Sequence, residues 1–350
     1  MTAFRASIFA IKKCLFQTEQ YILKRSIFYS VTCNDNSQHG EPKLALNNEE
    51  NEWQGTKKLL KVAMLGLPNS GKSTLVNQLT HRSICPTSSK VHTTMHKAEV
   101  VYTEGNTQIV FIDTPGLATA KENKTYKLVE TFRKDPENSV TEADVIGIIQ
   151  DVTNIHTRHK IEDFVMDYIN KKKSDTKLLL ILNKVDKLKK KAPLLELVRL
   201  LTNTEKYPKF DDTFMVSALV GDGVDDLRNY LLDSAKEQDW KYDGDVYTDQ
   251  TIDHIIQQTV RAKLMDILPY EMPYKVKVIT EHFDFGDDGS INAVARLDCP
   301  KENYVSVLLK HKAFKVKCLA FHIEKELRHA FRTNVSVRLN VQNVNKSQTE

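Results

Sequence analysis

The sequence has no two cysteines in C-x-x-C spacing. Its five cysteines, Cys14, Cys33, Cys85, Cys299 and Cys318, are scattered and odd in number. That argues against a disulfide framework or a thiolate zinc site and fits reduced thiols inside a cell. The eleven histidines contain no H-E-x-x-H or comparable metal spacing. No apolar run reaches the roughly 18 residues that cross a bilayer, so no transmembrane segment is expected. Charge of neither sign dominates: 50 basic residues against 46 acidic ones leave a net charge of +4. Composition alone therefore does not mark a nucleic-acid binder, and local clustering must decide. No internal repeat is present. Apolar residues are not scarce: at 41% of 350 residues they suffice for two separately folded domains.

What the first 33 positions lack is acid. Arg5, Lys12, Lys13, Lys24 and Arg25 stand against a single Glu19, while Phe4, Ile8, Ile11 and Leu15 recur at helical spacing. This basic amphipathic pattern predicts a mitochondrial transit peptide. Lys12 and Lys13 interrupt the unbroken apolar stretch that a secretory signal needs. Residues 34–56 turn polar and read as a linker.

Short apolar runs then alternate with helical stretches. Lys61–Leu65, Ile109–Ile112, Val145–Gln150, Leu178–Leu182 and Phe214–Val216 read as strands, and Lys160–Lys172 and Pro193–Leu201 as helices. Strands apolar on both faces predict an α/β domain, with a mostly parallel sheet covered by helices on both sides. After a polar connector at 237–248 the pattern changes. A helix is expected over Asp249–Leu268, ended by Pro269. A hairpin of Lys275–His282 and Ile291–Leu297 turns at "GDDGS". A basic helix over Val316–Arg332 and a strand over Val335–Val341 complete an α+β unit.

Four motifs carry chemistry. Gly66-Leu67-Pro68-Asn69-Ser70-Gly71-Lys72-Ser73 fits G-x-x-x-x-G-K-[ST] between a strand and a helix that continues with Thr74. Its backbone N–H groups can wrap a di- or triphosphate. Lys72 can reach the β- and γ-phosphates, and Ser73 can offer its hydroxyl to Mg²⁺. Asp113-Thr114-Pro115-Gly116 closes the run "IVFI": the Asp can hold Mg²⁺ through water and the Gly116 N–H can sense the γ-phosphate. Asn183-Lys184-Val185-Asp186 follows "LLLIL" and reads the base. A buried carboxylate at Asp186 accepts from the N1–H and N2 amine of guanine, and adenine offers neither donor. Asn183 can tie loops together, and the stem of Lys184 can lie across the ring. Ser217-Ala218-Leu219 follows "FMV" and can back the base from the other side. Thr93 and Thr94 lie between the first two motifs, where a threonine can close over Mg²⁺ and the γ-phosphate; the sequence leaves open which one does.

In this order the motifs resemble those of the translation-factor-like GTPases. G-x-P-N-S-G-K-S together with T-T is similar to the Era group. "VRAKLMDILPYEMPYKVKV" resembles the join between the Era GTPase domain and its KH domain. The resemblance covers roughly residues 57–342 and implies a P-loop GTPase domain at 57–236, a type II KH-like α+β domain at 249–342 and a polar tail at 343–350. It further implies slow GTP hydrolysis dependent on Mg²⁺, with Lys72, Thr93, Thr94 and Gly116 at the reacting phosphate and Ser73, Asp113 and Thr94 around the metal. Asn69 resembles the asparagine that recruits K⁺ in relatives. The expected partners are small-subunit mitochondrial ribosomal RNA and the small mitochondrial ribosomal subunit. The expected location is the mitochondrial matrix, with peripheral contact to the inner membrane. Related GTPases place a glutamine after the D-x-x-G glycine; here Leu117 has no polar atom to orient water.

One departure concerns the RNA clamp. Alignment on "AFHIEKELRHAF" places the G-x-x-G loop of a KH domain at Lys310-His311-Lys312-Ala313, and both glycines are gone. Lys310, Lys312, Lys315 and Lys317 crowd the segment, so contact through lysine charge is expected instead of backbone approach. The alternative is a GTP-binding scaffold whose KH-like unit docks a protein.

Overall fold

The computed structural model describes residues 55–88, 90, 97–114, 131–189 and 192–344. The transit-peptide expectation at 1–33, nearly all of the 34–56 linker, and most of the 343–350 tail lie outside these residues.

Six strands of one sheet run β1 (Lys58–Gly66), β2 (Ala98–Glu104), β3 (Thr107–Asp113), β4 (Val145–Asp151), β5 (Lys177–Asn183) and β6 (Asp212–Val216). Their spatial order is β2-β3-β1-β4-β5-β6, and a two-residue β7 (Lys236–Glu237) pairs antiparallel with β1. Every neighbouring pair from β3 to β6 is parallel. The helices are α1 (Lys72–Thr80), α2 (Thr131–Glu142), α3 (Asp163–Ile169), α4 (Ala192–Leu201) and α5 (Val224–Asp233).

Strand alternation sorts the core into two layers. Leu60, Val62 and Met64 of β1 join Leu179 and Ile181 of β5 under α1 and α5. Ala63 and Leu65 join Leu178, Leu180 and Leu182 under α2, α3 and α4. Both faces of each central strand are thus covered, which accounts for their uninterrupted apolar runs. Strand order reverses on either side of β1, so the loop after β1 opens at the topological switch point, where α/β sheets bind ligands.

Strand β2 was not expected from the sequence. "AEVVYTE" is half polar, and it pairs antiparallel with β3 through the Gly105-Asn106 turn, where Gly105 has φ 58°. A Gly-Asn turn between such runs is a hairpin signal that a search for parallel strands passes over.

The second unit comprises α6 (Ile252–Ile267), α7 (Met272–Lys275), β8 (Lys277–Phe285), β9 (Ile291–Cys299), α8 (Glu302–Phe331) and β10 (Val335–Asn343). Its sheet order is β10-β9-β8. β8 and β9 form the antiparallel hairpin, while β10 runs parallel to β9 and needs the α8 crossover to reach it. This is the path of a type II KH fold except that one continuous helix, α8, stands where that fold has two, and α6 packs against α8.

Thr251 caps α6 by accepting from the His254 backbone N–H. The 237–248 connector does not hang free. Gln108 accepts from the backbone N–H groups of Lys241 and Tyr242, and the buried Glu99 accepts from Lys241 Nζ at 2.6 Å and Tyr242 OH at 2.8 Å. These polar residues read as a linker because their partners sit more than a hundred positions away.

Helix α8 is longer than the basic stretch suggests, and it holds one left-handed residue, Ala313, at φ 57°. A straight right-handed helix cannot pass through that conformation, so the chain bends where the aligned RNA loop falls. An L-residue there costs about 1–2 kcal/mol. Ala313→Gly is expected to raise stability by about 1 kcal/mol in urea unfolding, and Ala313→Val to lower it. Equal stabilities for all three would show that Ala313 does not hold this backbone in solution.

Candidate functional site

The carboxyl ends of β1, β3, β5 and β6 bring four motifs to one edge of the sheet. Gly66 ends β1, Asp113 ends β3, Asn183 ends β5, and Ser217 follows β6. The phosphate loop is shaped by close approach. A Cβ at Gly66 would stand 2.6 Å from the carbonyl oxygen of Ile149, and Gly71 has φ 98° with its Cβ position filled by the Asn183 amide. Any side chain at either position would occupy the space of the cradle.

Lys72, the first residue of α1, is 6% exposed. It donates to the carbonyl oxygens of Gly66 at 3.2 Å and Leu67 at 3.1 Å. Burial pushes its pKa down to about 8, and the Asp113 carboxylate works against that fall. Ser73 Oγ donates to Asp113 Oδ2 at 2.9 Å. A hydroxyl beside a carboxylate at the mouth of a phosphate loop is a hard-oxygen donor pair suited to Mg²⁺. Ser70 Oγ is buried with no partner among the described residues, a polar atom still to be satisfied inside the loop. Thr74 is half-buried in the first turn of α1, and Pro68 and Asn69 form the outer rim.

Asn183 binds three loops at once. Its Nδ2 donates to Ser70 O at 2.9 Å, and its Oδ1 accepts from the N–H groups of Lys184 at 2.8 Å and Ala218 at 3.0 Å. Asn183 thus joins the phosphate loop, the N-K-x-D loop and the Ser217-Ala218 loop. Lys184, at φ 68°, reaches Asn69 O at 2.7 Å and Asp151 Oδ2 at 2.6 Å. Its ammonium is thus held between the phosphate loop and the end of β4. Asp151 was not found from the sequence. Burial raises its pKa, but the Lys184 ammonium and Thr153 outweigh this and hold it below the usual carboxylate range. Its position at the carboxyl end of β4, between two motif-bearing strands, is the signal that could have found it.

Asp186 departs from expectation: its side chain is exposed, not buried. One oxygen accepts from Ser217 Oγ at 2.6 Å, and the other is open to solvent at the mouth of the site. The wall against water must come from the base itself. Ser217 and Ala218 are buried, while Leu219 is 74% exposed and stands outside the cluster. Thr114 is buried and donates to Met64 O at 3.0 Å, so its side chain braces β3 on β1. Thr93, Thr94, Pro115, Gly116 and Leu117 lie outside the described residues. The chain leading to the Thr93-Thr94 segment is fastened to the second unit: Arg82 Nη1 donates to Ala330 O at 3.0 Å, and Lys90 Nζ to Leu268 O at 2.6 Å.

At the lysine run, Lys310 and Lys317 are exposed and Lys315 half-exposed, and none has a carboxylate partner among the described residues. The side chain of Lys312 lies outside them. Phe314, 64% exposed, and Phe321, 59% exposed, stand among these cations, and the charge pattern alone did not single them out. Exposed rings beside lysines are what unstacked bases settle on.

A phosphate cradle at the switch point of a parallel sheet, joined through one asparagine to a guanine-type carboxylate loop, defines a P-loop GTPase. Residues 61–184 match the family described as 50S ribosome-binding GTPase. The chain is 31% identical to the mitochondrial GTPase Era of Salmo salar, over 81% of this chain and 76% of that protein. It is 33% identical to GTPase Era of Brucella suis, over 76% of this chain and 82% of that one. A crystal structure of Era in complex with MgGDPNP and nucleotides 1506–1542 of 16S ribosomal RNA superposes with a TM-score of 0.68 at 26% identity, covering 82% of this chain and 94% of the other. The chain belongs to the Era family of GTPases.

Proposed function

We propose that this protein is a GTP-driven switch that binds small-subunit mitochondrial ribosomal RNA and acts in assembly of the small mitochondrial ribosomal subunit. The observation that carries the nucleotide half is the Asn183 junction, which makes the phosphate cradle and the base loop one rigid body. The RNA half is supported by Lys310, Lys315 and Lys317, which have no carboxylate partner among the described residues, by the exposed phenylalanines of α8, and by the ribosomal RNA held by the Era structure above. The mitochondrial setting is supported by the acid-poor first 33 residues and by the mitochondrial relatives. We assign the matrix, with peripheral contact to the inner membrane; no helix among the described residues is long and apolar enough to cross a bilayer.

In this reading Gly66, Pro68, Asn69, Ser70, Gly71, Lys72, Ser73 and Thr74 hold the phosphates. Asp113, Thr114, Pro115 and Gly116 flank the γ-phosphate, and Asn183, Lys184, Asp186, Ser217 and Ala218 surround guanine, with Leu219 outside that cluster. Lys72 exchanges its two loop carbonyls for phosphate oxygens, which restores the proton affinity that burial removed. Mg²⁺, held by Ser73, Asp113 and Thr94, supplies charge neutralisation when bound. Asn69 at the rim is the place for K⁺. With Leu117 in place of a glutamine, intrinsic turnover is expected on the order of 10⁻³–10⁻² s⁻¹.

Sequencing of RNA crosslinked to the protein in mitochondria tests the reading. Reads concentrated in small-subunit ribosomal RNA, with adducts at Lys310–Lys317, support it. Protein crosslinks alone at that segment would favour the scaffold instead. Replacing Lys310, Lys315 and Lys317 with Gln should lower the salt slope of RNA binding by about two to three. Affinity nearly flat in salt for the wild type would refute contact through lysine charge.

A further inference from the structure

Between α6, α7 and β8 lies a cavity of about 250 Å³ whose walls include Gln258, Arg261, Tyr274, Lys275 and Lys277. Arg261 is half-buried in the wall. Burial pulls its guanidinium below the ordinary value, opposed only by the Tyr274 phenol. Among the described residues it has no carboxylate partner and no hydrogen bond. A partly desolvated cation without an anion is held at a cost, and the cost is relieved when an anion arrives. Lys277 is exposed and equally without a carboxylate among the described residues. Glu271, which does not line the cavity, pairs with Lys275 at 2.9 Å. The cavity is therefore cationic, with one planar fork able to grip two oxygens of a phosphate.

Two further groups narrow the ligand. Gln258 Oε1 is buried with no partner among the described residues, an acceptor in want of a donor. The ribose 2′-hydroxyl supplies such a donor beside every phosphate of an RNA strand. Tyr274 adds an aromatic wall on which a base can rest. Glu271 holds the Lys275 pKa above its ordinary value, and Tyr304, in the first turn of α8, stands near enough to add to that rise. Lys310 follows six residues later, about 9 Å along the helix axis at 1.5 Å per residue. The start of α8 thus neighbours the cavity wall at Lys275, and the lysine run continues along that helix.

We propose that this cavity holds one nucleotide of a bound RNA strand, with Arg261 and Lys277 on its phosphate and Gln258 on its 2′-hydroxyl. The site is separate from the Lys310–Lys317 segment and rests on the RNA-binding reading above.

The test uses the full chain and a short single-stranded RNA from the 3′ end of small-subunit ribosomal RNA, titrated by fluorescence anisotropy at several KCl concentrations. Arg261→Gln and Lys277→Gln should each weaken binding about five- to twentyfold and reduce the salt slope by about one. GTP hydrolysis without RNA should stay at the wild-type rate. Lys277 is exposed, so its variant folds even if Arg261→Gln does not. Wild-type affinity and slope in the Lys277 variant would overturn the assignment. So would thermal stabilisation by inorganic phosphate that saturating RNA fails to displace, which would mark a free-anion site. A wild-type chain that binds no RNA defeats the RNA reading itself, whereas RNA binding untouched by these substitutions defeats the cavity alone.

Discussion

Asp186→Asn is expected to turn the protein from GTP towards XTP, with GTP affinity falling about 10³-fold and XTP affinity rising by a similar factor. The carboxylate at Asp186 accepts from the two donors on the guanine edge, and a site built to match such donors discriminates strongly when they are missing. The neighbouring hydroxyl decides how the variant works. Ser217 Oγ donates to Asp186 Oδ1 at 2.6 Å and accepts from the Val220 N–H at 3.3 Å. With its acceptor side used by the backbone, Ser217 donates to the amide oxygen of the new asparagine and leaves the NH₂ turned to the base. That NH₂ meets the carbonyl that xanthine carries in place of the guanine amine. Competition of XDP and GDP against a fluorescent nucleotide measures the exchange. If ATP competes as well as GTP for the unaltered protein, or the variant keeps its preference for GTP, Asp186 is not the reader of the base.

Lys72→Met is expected to act in two opposite directions. Nucleotide retention should fall by about 10³-fold or more, because no other buried cation among the described residues of the loop reaches the phosphates. The nucleotide-free protein should nonetheless become more stable by about 1–2 kcal/mol at pH 7, allowing for the two lost carbonyl bonds. Burial lowers the Lys72 pKa to about 8 in the folded protein, against 10.5 for the free side chain. Below pH 8 both folded and unfolded chains hold the proton, and the folded one bears the full cost of a buried ammonium. Between pH 8 and 10.5 the unfolded chain binds more protons, so the wild type gains stability as pH rises and the gap to the Met variant closes. Nucleotide affinity moves the other way and falls above pH 8, since only the ammonium pairs with phosphate. Urea unfolding without nucleotide across that range reads the first effect. A Met variant no more stable than wild type at pH 7 would mean that Lys72 carries no such burden.

Much of the site could be read along the chain, because each motif is a contiguous signature at the end of a strand. Gly66–Ser73, Asp113 and Asn183–Asp186 declare themselves through glycine spacing and through an acid following an apolar run. The groups that needed the fold are those whose meaning depends on a distant partner. Asp151 is an ordinary acid until Lys184 arrives from the next strand. Glu99 and Gln108 look like surface residues of a weak strand until the 237–248 segment closes over them. Ala313 looks like the loss of a glycine, yet it keeps the left-handed backbone that a glycine would favour.

By itself the sequence determined the α/β class, the purine and the family, since periodicity and short motifs report local geometry, which is encoded within a few residues. Only the tertiary structure decided that Asn183 bridges three loops, that Asp186 stands open to water, and that Arg261 is half-buried with no carboxylate partner among the described residues. Those facts rest on contacts between residues far apart in the chain, and such contacts leave no pattern in any one stretch of it.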